Sequence, residues 1–355
     1  MPHRVDGQAV RHDIEMIRWL ATLSKAGMSL WQDSGIVRHH VPHGAVFPAQ
    51  MLEQIRQRLR CLPASSSLLT RDNDCLVHLA ISDRRDASII CVHAAHGDVF
   101  DYQYLAAAVA AEYPVYALQA LRLLLAERTP DSIEQIAGLY ARELLQNQLC
   151  DQPFALYGGS AGGVVALEIA HQLTAAGKQP AVLILGDTQH ALVPALATST
   201  ELPERYLWMS FVSACMPREL LDVIGVGAHE FWISLAHEER ISYVLDAVAS
   251  LHAATYLVPL RRDCIARHLA IQAHFLYLYG RYGLKPYAGN SVYVKAARVD
   301  WDRSRTLREA LTGRTRVVEI AGTHLSLMRA DGAATVARIA ESELQRSIGG
   351  SVQNQ

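Results

Sequence analysis

Ser160 stands in Gly158-Gly159-Ser160-Ala161-Gly162, between the apolar run Phe154-Ala155-Leu156-Tyr157 and a helical run from Val164 to Leu173. The bare pattern G-x-S-x-G is common by chance, so its context carries the argument. A serine on a sharp strand-to-helix turn is presented to attack a carbonyl, and the turn needs small neighbours because a Cβ two residues to either side would strike the strand or the helix. Gly158 and Gly162 supply that room. In the run after the serine, Val164, Leu167, Ala170 and Leu173 follow a helical period, with Glu168 and His171 expected outward.

A serine hydroxyl is a poor nucleophile at neutral pH, so the chemistry requires a base within hydrogen-bond reach and a carboxylate that orients the base. His324, in Ala321-Gly322-Thr323-His324-Leu325, follows the last strand-like run and is the candidate base. Among the other histidines after the serine, His171 rides the helix that follows it, His190 begins an insertion, and His229, His237, His252, His268 and His274 lie inside that insertion. Two aspartates sit at strand ends: Asp187 after Ala181 to Gly186, and Asp300 after Ser291 to Ala296. The residues alone leave the acid open between them. The oxyanion formed on attack needs two donors in place beforehand, for which backbone amides are suited. The candidates are Ala161, next to the nucleophile, and Ala95, in the small-residue loop Val92-His93-Ala94-Ala95-His96-Gly97. His93 and His96 have no further Cys, His or carboxylate ligands clustered with them, so no metal is expected.

These groups need a scaffold that brings strand ends together. Cys75 to Ala80, Ala87 to Val92, Pro114 to Leu118, Phe154 to Tyr157, Ala181 to Gly186, Ser291 to Ala296 and Val317 to Ile320 read as strands. Helical runs over Phe100 to Tyr113, Ser132 to Gln148, Val164 to Ala176 and Gly332 to Ser347 alternate with them, which implies an α/β fold with a mostly parallel sheet covered on both faces. At 355 residues, half of them apolar, the chain can bury one large core and a small appended module. A net charge of −2 without a basic block argues against nucleic-acid binding. The six cysteines are scattered, without C-x-x-C pairs, and read as reduced thiols. Met1 to Gly7 is polar and no apolar run approaches bilayer length, so a cytoplasmic protein is expected.

The front of the chain reads as a separate unit. Met16, Ile17, Leu20 and Leu23 mark an amphipathic helix that stops at Gly27, and Met51, Leu52, Ile55 and Leu59 mark a second one started by Pro48. Between them Ser29-Leu30-Trp31 and Ile36 to His40 flank the turn residues Gln32-Asp33-Ser34-Gly35, a hairpin pattern. With Gly27-Met28-Ser29-Leu30-Trp31 and Val41-Pro42-His43-Gly44-Ala45-Val46-Phe47-Pro48, this stretch resembles the TubC-type docking domain of peptide and hybrid polyketide synthetases. The resemblance implies that the hairpin captures a short, often acidic, C-terminal tail of an upstream synthetase by strand addition, with Arg38, His39, His40 and His43 as complementary charge. The expected bounds are 1–62 for this unit, 63–72 for a linker around Pro63-Ala64-Ser65-Ser66-Ser67, and 73–349 for the catalytic domain, with a helical lid over about 190–285.

The larger domain resembles type I thioesterase domains of nonribosomal peptide and polyketide synthetases, which have the α/β-hydrolase fold. The landmarks are Val92 to Gly97 with Phe100 and Tyr102, Gly158 to Gly163 with Ala166-Leu167-Glu168-Ile169-Ala170, Leu183-Ile184-Leu185-Gly186-Asp187, Tyr282 to Gly289, and Gly322-Thr323-His324. Ala94, His96 and Gly159 depart from the family's usual proline, glycine and bulkier residue. Gly162-Gly163 is similar to releasing rather than proofreading members. The resemblance implies Asp187 as the acid, no cofactor of the chain's own, and a substrate carried on the phosphopantetheine of a carrier protein. Without adenylation, condensation or carrier modules, the chain is expected to receive its substrate in trans. Two other readings compete: a stand-alone carboxylesterase or lipase sharing the same residues, and a catalytically silent docking scaffold.

Overall fold

The computed structural model describes the hairpin strands Ser29–Asp33 and Ile36–His40, then residues 75–80, 82–97, 99, 102–109, 112–120, 130–189, 274–297, 304–328 and 330–352, with single positions 236, 239, 242 and 272. The chain divides into two compact units, 1–67 with 199–274 and 68–198 with 275–355, and the second holds nearly all of the described residues. The two helices expected before residue 62, the linker 63–72 and, apart from those single positions, the lid from 190 to 273 lie outside the described residues, as does Asp300.

In the first unit, β1 (Ser29–Asp33) and β2 (Ile36–His40) pair antiparallel, from Ser29↔His40 to Asp33↔Ile36. A hairpin therefore lies where the turn residues place one, its first strand two residues longer than expected.

The second unit is built on β3 (Leu76–Ala80), β4 (Ser88–Val92), α1 (Gln103–Ala108), β5 (Val115–Leu118), α2 (Ile133–Gln146), β6 (Phe154–Gly159), α3 (Gly162–Ala175), β7 (Val182–Gly186), β8 (Ser291–Ala296), α4 (Arg305–Ala310), β9 (Thr315–Ile320), a 3-10 turn (His324–Met328) and α5 (Ala330–Val352). The seven strands form one sheet in the order β3-β5-β4-β6-β7-β8-β9. Only the β3–β5 pairing is antiparallel. Continuous apolar runs such as Ile89-Ile90-Cys91-Val92 and Val182-Leu183-Ile184-Leu185 are buried throughout, as strands covered on both faces require. α2 packs on α3 and α1 packs on α5, while α3 and α5 both lie against β6 and β7, so helices cover both faces.

α2 starts at Ser132, whose side chain accepts from the Gln135 N–H at 3.2 Å, and buries Ile133, Ile136, Ala137, Tyr140, Ala141 and Leu144 at helical spacing. Its Glu143 carboxylate accepts the N–H groups of Cys75 and Leu76 at 3.0 and 2.8 Å, tying the helix to the start of β3. Cys91 and Cys150 are buried free thiols, and burial pushes Cys150 up to about 12.

α3 has no side-chain cap, and close packing fixes its start instead. A Cβ at Gly162 would overlap the carbonyl oxygens of Val92 and His93, so this glycine lets the helix meet the end of β4. A Cβ at Gly163 would collide with the side chain of Thr188, whose hydroxyl has no hydrogen-bond partner among the described residues. Replacing Gly163→Ala is expected to cost about 1–3 kcal/mol of stability through overpacking. A second change, Thr188→Ala, is expected to recover part of that loss without breaking a hydrogen bond. Thermal melts of the two single variants and the pair check this, and an unchanged Gly163→Ala melt would disprove the contact.

Candidate active site

β6 ends at Gly159, and the chain turns at Ser160 with φ 54°, a left-handed conformation in a residue with a Cβ. The Ser160 N–H donates to Gly186 O at 2.7 Å and its carbonyl accepts the Gly163 N–H at 3.1 Å, which fastens the turn to β7 on one side and to α3 on the other. Gly158 lies against the backbone of Gly162 and Gly163 with no room for a side chain. Local geometry therefore holds the hydroxyl at the carboxyl end of the sheet, half-buried.

Asp187, the residue after β7, is also left-handed, at φ 45°. Its N–H donates to Val294 O at 2.7 Å, and the next carbonyl, of Thr188, accepts the Tyr293 hydroxyl at 3.0 Å, so β8 holds the turn. The Asp187 side chain is 3% exposed. His324 comes from the loop after β9, where Gly322 takes φ 114° and Ser326 Oγ accepts the Thr323 N–H at 2.8 Å and donates to Thr323 O at 2.7 Å.

The structure brings these three side chains together. His324 Nδ1 lies 2.6 Å from Asp187 Oδ2 and its Nε2 lies 3.0 Å from Ser160 Oγ. With the proton on Nδ1 donated to the carboxylate, Nε2 is left as an acceptor facing the serine hydroxyl. The imidazole is more open than its carboxylate partner, 37% against 3% exposed.

The two backbone donors expected from sequence occupy the ends of neighbouring strands. Ala161 is the N-cap of α3, where a helix leaves its first N–H groups without intrahelical acceptors. Ala95 sits inside the turn closed by the Gly97 N–H on Ala94 O at 3.0 Å, and Gly162 packs against the start of that same loop. His93 and His96 are buried here. The His93 ring is edge-on to Phe275 at 4.6 Å, with its Nδ1 2.7 Å from Ala94 O. Among the described residues no group of three or more His, Cys, Asp or Glu could hold a metal ion.

One expectation is corrected. Glu168 is not an outward residue of α3 but is 3% exposed, because α3 is buried on nearly every side and leaves no open face at that position. Its carboxylate accepts from Gln172 Nε2 at 2.9 Å, the Tyr282 hydroxyl at 2.7 Å and Lys285 Nζ at 3.0 Å. Burial alone would raise its pKa, but these hydrogen bonds and the Lys285 charge outweigh burial and hold it below the ordinary carboxylate value. The network ties the helix behind Ser160 to the 282–285 segment. A charged residue in the uniformly apolar stretch Val164 to Ile169 was the available signal, since such a charge survives only with buried partners. His171 is half-buried with its ring edge-on to Tyr287.

A mostly parallel sheet with a strained serine at one strand end and a histidine after the last strand defines the α/β-hydrolase fold. The chain belongs to the thioesterase domain family, whose model matches residues 87–344. It is 29% identical over 144 residues to the dimodular nonribosomal peptide synthase of Bacillus subtilis (strain 168), covering 41% of this chain and 6% of that protein. It is 32% identical over 101 residues to CymA, a probable non-canonical nonribosomal peptide synthetase of Salinispora arenicola (strain CNS-205), covering 28% of this chain and 1% of that protein. The chain thus spans only a small part of these relatives. The structure superposes on a four-domain nonribosomal peptide synthetase bound to AMP and glycine with TM-score 0.61 at 18% identity, over 76% of this chain and 20% of the other. It matches the wild-type Vlm2 thioesterase domain at TM-score 0.54 and 22% identity, over 74% and 95%. For the NocB thioesterase domain in covalent complex with a fluorophosphonate nocardicin G analogue the values are 0.52 and 19%, over 73% and 95%.

Because Asp187 meets His324 Nδ1, Asp187→Asn is expected to lower kcat on a small thioester by about 10³–10⁴-fold, through loss of the imidazole tautomer that the serine needs. The variant Asp300→Asn is expected to stay close to the parent, because the carboxylate contact to His324 Nδ1 is made by Asp187. Steady-state kinetics of the two separate these outcomes, and a severe loss confined to Asp300→Asn would reassign the acid.

Proposed function

We propose that this protein is a serine thioesterase that accepts an acyl or peptidyl chain from the phosphopantetheine arm of a carrier protein in a nonribosomal peptide or polyketide assembly line, in trans, and releases it. The observation that carries the reading is the continuous relay Asp187–His324–Ser160 at 2.6 and 3.0 Å within a member of the thioesterase family. In this mechanism Ser160 Oγ attacks the thioester carbonyl while His324 Nε2 takes its proton. Asp187 stabilises the imidazolium that forms. The N–H groups of Ala95 and Ala161 hold the oxyanion, a type of contact worth about 10²–10³ in kcat per donor. The thiol then leaves with the proton from His324, and an acyl-Ser160 remains. Water, or a nucleophile within the bound chain, attacks the acyl-serine by the same route in reverse, giving hydrolysis or cyclisation. No cofactor on this chain takes part.

The synthetase context is drawn from the relatives, which are themselves peptide synthetases or thioesterase domains. The β1–β2 hairpin supports action in trans, since it is the element through which the docking resemblance would capture an upstream C-terminal tail. Strand alternation puts positions 38 and 40 on one face of β2 and position 39 on the other. Buried free thiols at Cys91 and Cys150 support a reducing, cytoplasmic setting, and no helix among the described residues is long and apolar enough to cross a membrane.

Intact-protein mass spectrometry of the enzyme and of Ser160→Ala, each mixed with acyl-loaded carrier protein or with an aryl ester, tests the reaction. Faster acyl transfer to the parent from the carrier, and none to Ser160→Ala, is the expected outcome. Preference for the free ester would move the protein to general esterases, and no acylation from either donor would make it a silent scaffold. For docking, the triple change Arg38→Glu, His39→Glu and His40→Glu is expected to slow turnover of a carrier-bound substrate about tenfold or more by losing avidity, while sparing a small thioester. Equal effects on both substrates would remove docking from the account.

A further inference from the structure

The β4–β6 ladder runs in parallel register from Ser88↔Phe154 to Val92↔Gly158 and then stops. Beyond that pair the strands part. The His93 N–H turns away to Leu118 O on β5 at 3.1 Å, and the Ser160 N–H turns away to Gly186 O on β7 at 2.7 Å. The carbonyl of Val92 and the N–H of Gly159 lie at the last rung of that ladder, where the two strands diverge.

The Tyr102 hydroxyl reaches that rung. It donates to Val92 O and accepts the Gly159 N–H at 3.3 Å. Tyr102 is 1% exposed and caps the start of α1, its own N–H bonded to Val99 O at 3.1 Å. Its ring stands edge-on to Tyr157 of β6, 5.5 Å between centroids and 71° between planes. Both the ring and the backbone therefore hold the hydroxyl in place, and a single oxygen is bonded to both strands where they diverge.

Just beyond this clamp the strands open into the proposed oxyanion site. Three residues past Val92 on one bank is Ala95, and on the other bank Gly159 leads directly into Ser160 and Ala161. The hydroxyl adds a side-chain clamp at the last point where the two banks are joined. We propose that Tyr102 is a positioning residue whose hydroxyl sets the separation of the two backbone donors that receive the oxyanion. This rests on the acyl-serine mechanism above. Preorganisation is the whole worth of such donors, and a misplacement near 1 Å costs about 10²-fold in rate.

The test begins with the full-length parent and Ser160→Ala, to show that acylation occurs and where. Loss of that signal in the parent overturns the mechanism itself, a result distinct from any behaviour of Tyr102. In Tyr102→Phe the ring packing is kept and the bridge removed. The single-turnover acylation rate is expected to fall about 10–100-fold with KM for a small thioester within about threefold. Affinity for a boronic acid, which becomes tetrahedral on Ser160, is expected to fall by the same factor. The pH midpoint of acylation should stay that of the parent, because the His324–Asp187 pair is untouched. A residue needed only for packing would lower the melting temperature and leave rate, boronate affinity and KM alone, and that pattern would overturn the proposal. If Tyr102→Phe does not fold, 4-aminophenylalanine at position 102 carries the test, since its N–H still reaches Val92 O. Intermediate rate and boronate affinity are then expected. Parent-like values there, or failure of both variants to fold, would leave Tyr102 a folding residue and overturn the positioning role.

Discussion

At Ser160 the backbone runs at φ 54°, a conformation that costs a residue with a Cβ about 1–3 kcal/mol and persists only where its surroundings over-determine it. The surroundings here are specific. Two residues before it, Gly158 admits the backbone of Gly162 and Gly163. Gly162 in turn admits the carbonyls of Val92 and His93, and the Ser160 N–H is committed to Gly186. A helix start, two strand ends and one loop thus meet within a side chain's length of the serine. Relaxing the turn would require all of them to move.

The same logic extends to the other side chains of the relay. Asp187 is left-handed at φ 45° with its N–H held by Val294, and His324 follows Gly322 at φ 114°. Left-handed backbone alone does not mark a site, since Gln148 at φ 56° merely ends the turn after α2. What separates the cases is where the strain is spent. Gln148 lies in the turn after α2, whereas Ser160 and Asp187 end adjacent parallel strands and face one imidazole. The order of the sheet reverses between β4 and β6, the switch point at which open α/β sheets place their ligands.

Much of this was legible in the sequence, for reasons that differ between elements. β4, β6 and β7 showed because strands buried on both faces need unbroken apolar runs, and these stand out between glycine-rich turns. The serine turn showed because two glycines bracketed it in the right context. Asp187 and Asp300 could not be separated by residue type, since each follows a strand and the choice depends on which strand lies beside β6. That is a property of sheet order, not of local sequence. Glu168 was misplaced for a related reason: helical periodicity assigns an outward face only if the helix has one, and α3 is enclosed between the sheet, α2 and the 282–285 segment.

Glu168 and the serine turn belong to one mechanical argument. A buried carboxylate is costly unless fully paired, and removing one partner of such a set leaves an uncompensated charge. Glu168 is held by Gln172 from its own helix and by Tyr282 and Lys285 from the chain that returns into β8. The bond set therefore fixes α3 to the strand sequence that carries Val294, the acceptor for Asp187. A shift of α3 along its axis would move Gly162 against β4 and Ser160 against β7 at once. The carboxylate opposes that shift from the far side of the helix, five residues beyond the Gly162-Gly163 pair on which the serine turn depends.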